Sequence, residues 1–455
     1  MALREYMYKL LHDAYFHEGM FDRGGALIRF PRESALNYKH RQKQAYYLNY
    51  VGPIVDSSVT PVFKDEIKRN YRDTDKFKMF IDDVDRLGTS FQTFMRRNAI
   101  LAKLYGVIYV LVNNSMADGL TDADNLANRS LPYLTCITPE QIEQWLFDES
   151  GHIKEFTYRL QFKDENGWTI RYYTWTKDMW KVADETKRVI ESGPNALGIV
   201  PIVQWFGRDT DPTNMLPTSE FYAIAQTNKH VYNLCSLLSQ ISHEQTFNVL
   251  TLPTIGQVAD ITIGTNNVLT YPDTASHSPA FISPDSGPAT IIMEQIQTLI
   301  SEMYRMSGLN SVIGVESTKS GVAKQWDFEN TNQKLADFAG QCEKVERAIV
   351  RLYEAWTNES IDYVCEYQRD FKINDVADCL SQAQQAIDFN LDSKTFKLEL
   401  AKKILEAYMP NIPPDIYDAI ISELEAAAET IEQSKAFEGG SNVGDLDGND
   451  NSADD

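Results

Sequence analysis

Residues 321–358, GVAKQWDFENTNQKLADFAGQCEKVERAIVRLYEAWTN, decide how the rest of the chain is read. Within them Leu335, Phe338, Cys342, Val345, Ile349, Leu352 and Trp356 recur at steps of 3, 4, 3, 4, 3 and 4. At 3.6 residues per turn such steps keep every apolar side chain on one face, so the stretch is a long helix with a continuous seam. Leu335, Phe338, Val345, Ile349, Leu352 and Trp356 are therefore expected in core or inter-subunit packing rather than in a binding box. Residues 322–332 are much more polar, which predicts a kink or a change of neighbour near residue 330.

Working upstream, 309–320 is a polar loop, and before it Ile292, Ile296, Leu299, Met303 and Met306 mark a helix that stops at Gly308. Residues 248–288 lose the helical period and fill with Pro, Gly, Thr and Asn, as short strands and loops do. A further long helix is expected over 219–247, from Ile224, Val231, Leu234, Leu238 and Ile241. Residues 131–206 read as a small β domain with strands LPYLTCIT, HIKEFTYRLQF, WTIRYYTWT and IVPIVQWF, plus a short helix from Pro139 to Trp145. Gly106-Val107-Ile108-Tyr109-Val110-Leu111-Val112 is a buried strand, and 50–105 is helical in pieces broken near Asp73 and Leu87-Gly88. Residues 1–49 form an arm with short helices around Gly24-Gly25 and Pro31. Downstream, a strand is expected over Ile361–Tyr367, then helices Asn374–Phe389, Ser393–Tyr408 and Pro414–Glu432, with Asn374 and Ser393 as N-caps. The fold class is α+β, and no repeat of 20–50 residues is visible.

The chain has 455 residues, length for two or three domains, and its 43% apolar, 24% charged and 11% aromatic content is globular. Its 43 Lys+Arg and 65 Asp+Glu leave a net charge of −22, which argues against gripping phosphates over the whole surface. No run of about 18 apolar residues predicts a membrane span, and Met1–Lys9 lacks the apolar run of a signal peptide. The five cysteines (136, 235, 342, 365 and 379) are scattered without a CxxC pair, and read as reduced core residues of an intracellular protein.

The charge is unevenly spread. Residues 1–110 hold 18 Lys+Arg and 13 Asp+Glu, a local +5, and everything after sums to −27. The last 18 residues, 438–455, contribute −6 with no cation and are expected to be a disordered tail. Between Lys229 and Arg305 there are 75 residues without a single Lys or Arg, and six acids. Ser, Thr, Asn and Gln are too frequent there for a dry core. The segment reads as one that packs on neighbours yet faces something to which it must not stick.

Catalytic signatures are missing. GxxxxGK[ST], GxGxxG, GxSxG and HExxH do not occur. His12 and His17 are the closest histidines, at a five-residue step that does not share a helix face. Asp82, Asp83 and Asp85 read as solvated helix surface rather than a nuclease cluster. Asp445, Asp447 and Asn449 mimic the start of a calcium loop, but Asp450 stands where glycine is needed. Neither an enzyme nor a cofactor or metal site is expected.

The order of these elements and several stretches resemble the portal, or head-to-tail connector, family of tailed bacteriophages. The stretches are FMRRNAILAKLYGVIYVLV (94–112), TPEQIEQWLFDESGHI (138–153), LGIVPIVQWFG (197–207), EMYRMSGLNSVIGVESTKSGVAKQ (302–325) and YQRDFKINDVADCLSQAQQAIDFNLDSKTFKLEL (367–400). None is a strict motif; their order along residues 50–432 carries the likeness. The resemblance implies a wing over 50–218, stem helices over 219–247 and 289–308, a clip over 248–288 and a tunnel loop over 309–320. It further implies a kinked helix over 321–358, wing and crown helices over 359–437, and the acidic tail beyond. It implies a ring of about twelve subunits at the capsid vertex of the virion, assembled in the host cytoplasm. DNA would be packaged and ejected through that ring, which would dock the terminase large subunit, a head–tail adaptor, and the major capsid and scaffolding proteins.

On that reading the cation-free stretch coincides with stem and clip, so moving double-stranded DNA is not held by released-counterion affinity. Contact is confined to the tunnel loop, with Asn310, Ser311, Ser317, Thr318, Lys319 and Ser320 as channel residues. Lys319, the one cation of that loop, is the candidate phosphate contact; the plain alternative is an exposed loop lysine. The basic N-terminal half would meet the acidic remainder of a neighbouring subunit, or an acidic capsid or scaffold surface. Two other classes stay open: another phage head or adaptor protein without a channel, and a nuclease component of the packaging machinery. Lys319→Ala is expected to impair DNA translocation or retention in a packaging assay, and unchanged packaging would remove Lys319 from this role.

Overall fold

The computed structural model describes residues 2–114, 121, 124, 129–165, 167–246, 249–254, 268–272, 278–282, 287–308, 321–371, 394–409, 412, 416–424 and 426. Helix α1 (Ala2–Phe16) and a 3-10 turn (Gly19–Gly24) lead to α2 (Ala35–Gln44), where the Ser34 hydroxyl caps the Asn37 amide. Then come α3 (Val51–Ser57), strand β1 (Lys68–Asn70) and α4 (Asp75–Asp82), capped by Thr74. Helix α5 (Phe91–Tyr105) starts at the Ser90 cap and ends at Gly106, whose φ of 85° is left-handed. A β-carbon at 106 would also lie 3.2 Å from the Ser219 α-carbon. Glycine there stops the helix and lets a later segment approach its end.

Strand β2 (Val107–Asn113) leaves directly from Gly106 and pairs antiparallel with β3 (Tyr133–Ile137). The helix expected from Pro139 to Trp145 is not formed. A single 3-10 turn, Pro139–Gln141, gives way to strand β4 (Ile142–Phe147). The Gln141 side chain turns back to accept from the Thr138 amide at 2.8 Å, which closes that turn. Beyond it Trp145 and Phe147 face inward while Gln144 and Leu146 are exposed, a period of two that only a strand satisfies. Strands β5 (Ile153–Asp164), β6 (Gly167–Thr176), β7 (Met179–Ala183) and β8 (Val189–Pro194) complete an antiparallel meander in the order β4-β5-β6-β7-β8. The sequence reading missed β7 and β8; β8 is almost wholly exposed and carries no apolar alternation. Strand β9 (Ile202–Phe206) returns to the other edge of β2.

Helix α6 (Tyr222–Thr246) follows, then strands β10 (Val249–Thr254), β11 (Val268–Pro272) and β12 (Ala280–Ile282), which form a sheet in the order β11-β10-β12. Helix α7 (Gly287–Ser307) packs against α6. Helix α8 (Gly321–Thr357) is helical throughout, and what changes near 330 is burial: Glu329 and Asn330 are exposed, whereas the side chains from Leu335 onward enter the core. Of the strand expected over Ile361–Tyr367, β13 (Val364–Glu366) forms, paired antiparallel with β1. The first compact unit ends at Phe371. In the second, α9 (Lys394–Tyr408) and residues 416–424 are helical. The helix expected over Asn374–Phe389 lies outside the described residues.

Strand β2 explains the core. As the centre of β3-β2-β9 it is covered on both faces, which is why its sequence is a continuous apolar run. Ile108, Val110 and Val112 point into a large helical core with Phe94, Phe338 and Ile349. Val107, Tyr109 and Leu111 point into a smaller core with Phe156, Tyr158 and Trp175 of the meander. The α8 seam closes the large core: Leu335, Phe338, Val345 and Ile349 are buried, and Leu352 and Trp356 partly so. The Trp356 indole donates to the Val112 carbonyl at 2.8 Å, pinning the end of α8 to β2.

The polar side of α8 holds a buried charge. Glu346 is fully buried and takes a forked contact from Arg69 of β1, Nε to Oε1 at 2.8 Å and Nη2 to Oε2 at 3.0 Å. Tyr363 donates to Oε1 and Tyr367 to Oε2, the latter at 2.6 Å. Arg69 also donates to Gln92 at 2.6 Å. Burial and the carboxylate push both tyrosines above the usual phenol range, so they remain donors. Burial opposes the Arg69 charge, but the bonds to Glu346 outweigh it. Glu346→Leu is expected to lose about 3–5 kcal/mol in urea denaturation by stranding Arg69, and adding Arg69→Met should recover much of the loss. A single variant as stable as the parent would show that the pair does not tie β1 to α8.

Candidate functional site: a helix pair with a long cation gap

Three contacts fix where α6 begins. The Ser219 hydroxyl donates to the Leu104 carbonyl at 2.6 Å and accepts from the Phe221 amide at 3.1 Å. Glu220 binds Lys103 at 2.6 Å, and that buried ammonium also lies 4.9 Å from the centre of the Phe338 ring. The end of α5, the start of α6 and the α8 seam therefore meet at one point.

Farther along, α6 is buried on every side from Val231 to Ser236. The N-terminal arm wraps it there, which the sequence reading did not foresee. Asn228, fully buried, accepts from the Tyr47 hydroxyl at 2.8 Å and the Tyr50 amide at 3.1 Å, and donates to the Leu48 carbonyl at 2.9 Å. Asn233 accepts from the Ile28 amide at 2.8 Å and donates to the Lys229 carbonyl at the same distance. Lys229, the last cation before the gap, donates to the Tyr6 hydroxyl at 2.9 Å. The available signal was Asn228 alone, a polar residue four after Ile224 and three before Val231 on the apolar face; Asn233 and Ser236 lie off that face.

Past Ser236 the burial falls: Leu237 to Ile241 are partly buried, and Ser242 and His243 are exposed. Helix α7 runs alongside, with Met303 fully buried and Tyr304 edge-on to Tyr50 at 6.4 Å where it reaches the large core. The other end of α7 and the β12 edge are apolar yet exposed: Phe281 71%, Ile282 47%, Ile291 66% and Met293 46%. Among charged groups, Glu302 pairs with Arg305, whose hydrogen bond holds the carboxyl below its ordinary range. The arrangement leaves apolar surface for a protein contact and no cation between 230 and 304 to hold a phosphate.

The tunnel-loop residues Asn310, Ser311, Ser317, Thr318, Lys319 and Ser320 lie outside the described residues. The seam residues of α8 pack within their own chain's core, beside the start of α6. Asp82, Asp83 and Asp85 are not a solvated helix face, because α4 ends at Asp82. Asp83 accepts from the Gly88 amide at 2.8 Å and Asp85 from the Leu87 amide at 3.0 Å, closing a turn. Burial opposes the Asp85 charge, but bonds from Thr89 and Leu87 keep its carboxyl below the ordinary range. His12 faces Asp13 and Glu18, whereas His17 lies against the Tyr47 ring. Among the described residues no three His, Cys, Asp or Glu side chains are grouped to hold a metal, and no helix is long and apolar enough to cross a membrane. Cys136, Cys235, Cys342 and Cys365 are free thiols, and burial pushes Cys136 and Cys365 up to about 12. No protein-family model matches the chain, and no curated protein matches it.

Asn228→Ala strands the Tyr50 amide and the Leu48 carbonyl, while Tyr47 keeps the Ala14 carbonyl at 3.1 Å, and is expected to cost about 1–3 kcal/mol. Limited proteolysis should then cut within residues 1–49 faster than in the parent, and an unchanged cleavage rate would show that the arm is held by other contacts.

Proposed function

We propose that this chain is the subunit of a phage portal, a ring at the capsid vertex through which double-stranded DNA is packaged and ejected. The observation that carries the reading is the helix pair α6 and α7 with its three-stranded β10–β12 end, in which the 75 residues from 230 to 304 hold no Lys or Arg. A surface that encircles moving DNA works best without cations: each phosphate neutralised releases counterions and adds affinity, and about twelve copies would multiply that into a brake. The exposed Phe281, Ile282, Ile291 and Met293 supply apolar area for subunit contact, which a monomer would leave in water. In this reading α6 and α7 are the stem, β10–β12 the clip and α8 the helix under the crown.

The partners follow from the same reading: further copies of the chain, the terminase large subunit, a head–tail adaptor, capsid and scaffolding proteins, and DNA in transit. The protein carries out no bond chemistry of its own; it is a channel in the virion, assembled in the host cytoplasm.

Negative-stain microscopy of the purified chain is expected to show rings of about a dozen subunits with a central hole. Ile291→Asp should shift the population toward smaller species. A persistent monomer with divalent-metal-dependent nuclease activity would overturn the proposal, and a compact oligomer without a hole would favour a head or adaptor protein lacking a channel.

A further inference from the structure

The N-terminal arm does more than wrap α6: its outer side is a rigid, basic and apolar face. Arg41 of α2 is buried and makes the staple. Its Nε and Nη2 reach the two Glu33 oxygens, each at 2.8 Å, Nη2 also reaches the Ile28 carbonyl at 2.7 Å, and the guanidinium lies 4.9 Å from the centre of the Phe30 ring. Loop 28–33 and α2 are thereby one surface, anchored to α6 through Arg41 and Ser236 at 3.5 Å.

That surface leaves Leu36 66%, Ile28 57% and Phe30 40% exposed. Leu36, Lys39 and Lys43 stand three and four residues apart on α2, so they share a helix face. Lys39, Lys43 and the neighbouring Arg32 are exposed and have no carboxylate partner among the described residues. Unpaired cations beside exposed apolar side chains fit a protein surface that is both acidic and apolar. Phosphates alone would leave Leu36 and Ile28 in water.

We infer that this face is one half of the contact between neighbouring copies of the chain, and that its occupant is an acidic, apolar surface of a second copy. The inference rests on the ring reading above. A closed ring is built from heterologous contacts, each joining two different faces of the same chain. This chain separates its charges as such a contact requires: residues 1–110 sum to +5 and the remainder to −27. Opposite charges then set which faces meet, and the apolar residues supply the buried area.

The test compares the full chain with Lys39→Glu/Lys43→Glu, Leu36→Asp and Lys39→Arg/Lys43→Arg, by mass photometry over a concentration series. All three sites are exposed, so folding is checked by circular dichroism. The charge-reversed and Leu36 variants should need at least about tenfold more protein to reach half assembly, and the arginine variant should match the parent. Parent assembly should weaken between about 0.1 M and about 1 M salt, where the screening length falls from roughly 10 to roughly 3 Å. Rings formed equally well by parent and reversed-charge chains would overturn this contact while leaving the ring standing. So would reversed-charge chains that assemble normally but lose binding to a fluorescent DNA duplex, which would make the face a nucleic-acid surface. A parent that stays monomeric throughout would overturn the ring and this contact together.

Discussion

Strand β2 must be dry on both faces, and the rest of the first unit is arranged around that requirement. Six consecutive buried residues, Val107 to Val112, alternate between its two sides and demand two covers. α5 and α8 supply one, and the β4–β8 meander the other. A strand buried this way also needs both of its hydrogen-bonding edges paired, which β3 and β9 provide. The chain therefore has to leave β2, build the meander and return as β9 before the long helices begin. Gly106 makes this possible at the junction, because a side chain there would crowd Ser219 at the start of α6.

Where apolar packing leaves orientation open, buried polar groups settle it. Arg69 and Glu346 bring together β1 and α8, segments nearly 280 residues apart, and the two tyrosines complete the carboxylate's hydrogen bonds. Asn228 and Asn233 do the same for the arm on α6 with neutral groups. Such contacts add little net stability over an apolar substitute, yet each tolerates only one arrangement of partners, since a misplaced segment would strand a buried charge or amide.

Under the portal reading, function is written largely in what the surface avoids. A stem that must let DNA pass cannot be basic, and a segment without cations loses the lysines that usually keep exposed strands and helices from associating. The exposed apolar residues of β12 and α7 then sit on a surface with few charges to repel a neighbour. Under that same reading, association of like chains into a ring makes use of this surface.

The sequence by itself determined the long helices, the buried strand after Gly106, the broad β region and the uneven charge, because each leaves a local periodic or compositional mark. It misread Pro139–Trp145, where a Gln141 side chain closing one turn and the pull of a neighbouring core outweighed a helix-like opening. It also passed over β7, too short to mark its alternation clearly, and β8, whose exposed residues show none. Of the expected site, the cation gap was legible as composition, and the α8 seam as spacing. Only the tertiary structure decided that the seam closes its own chain's core, that the arm encloses α6, and that Arg41 fastens loop 28–33 and α2 to it. Those facts depend on which distant segments come together, and contacts between segments so far apart in the chain leave no periodic trace in either partner.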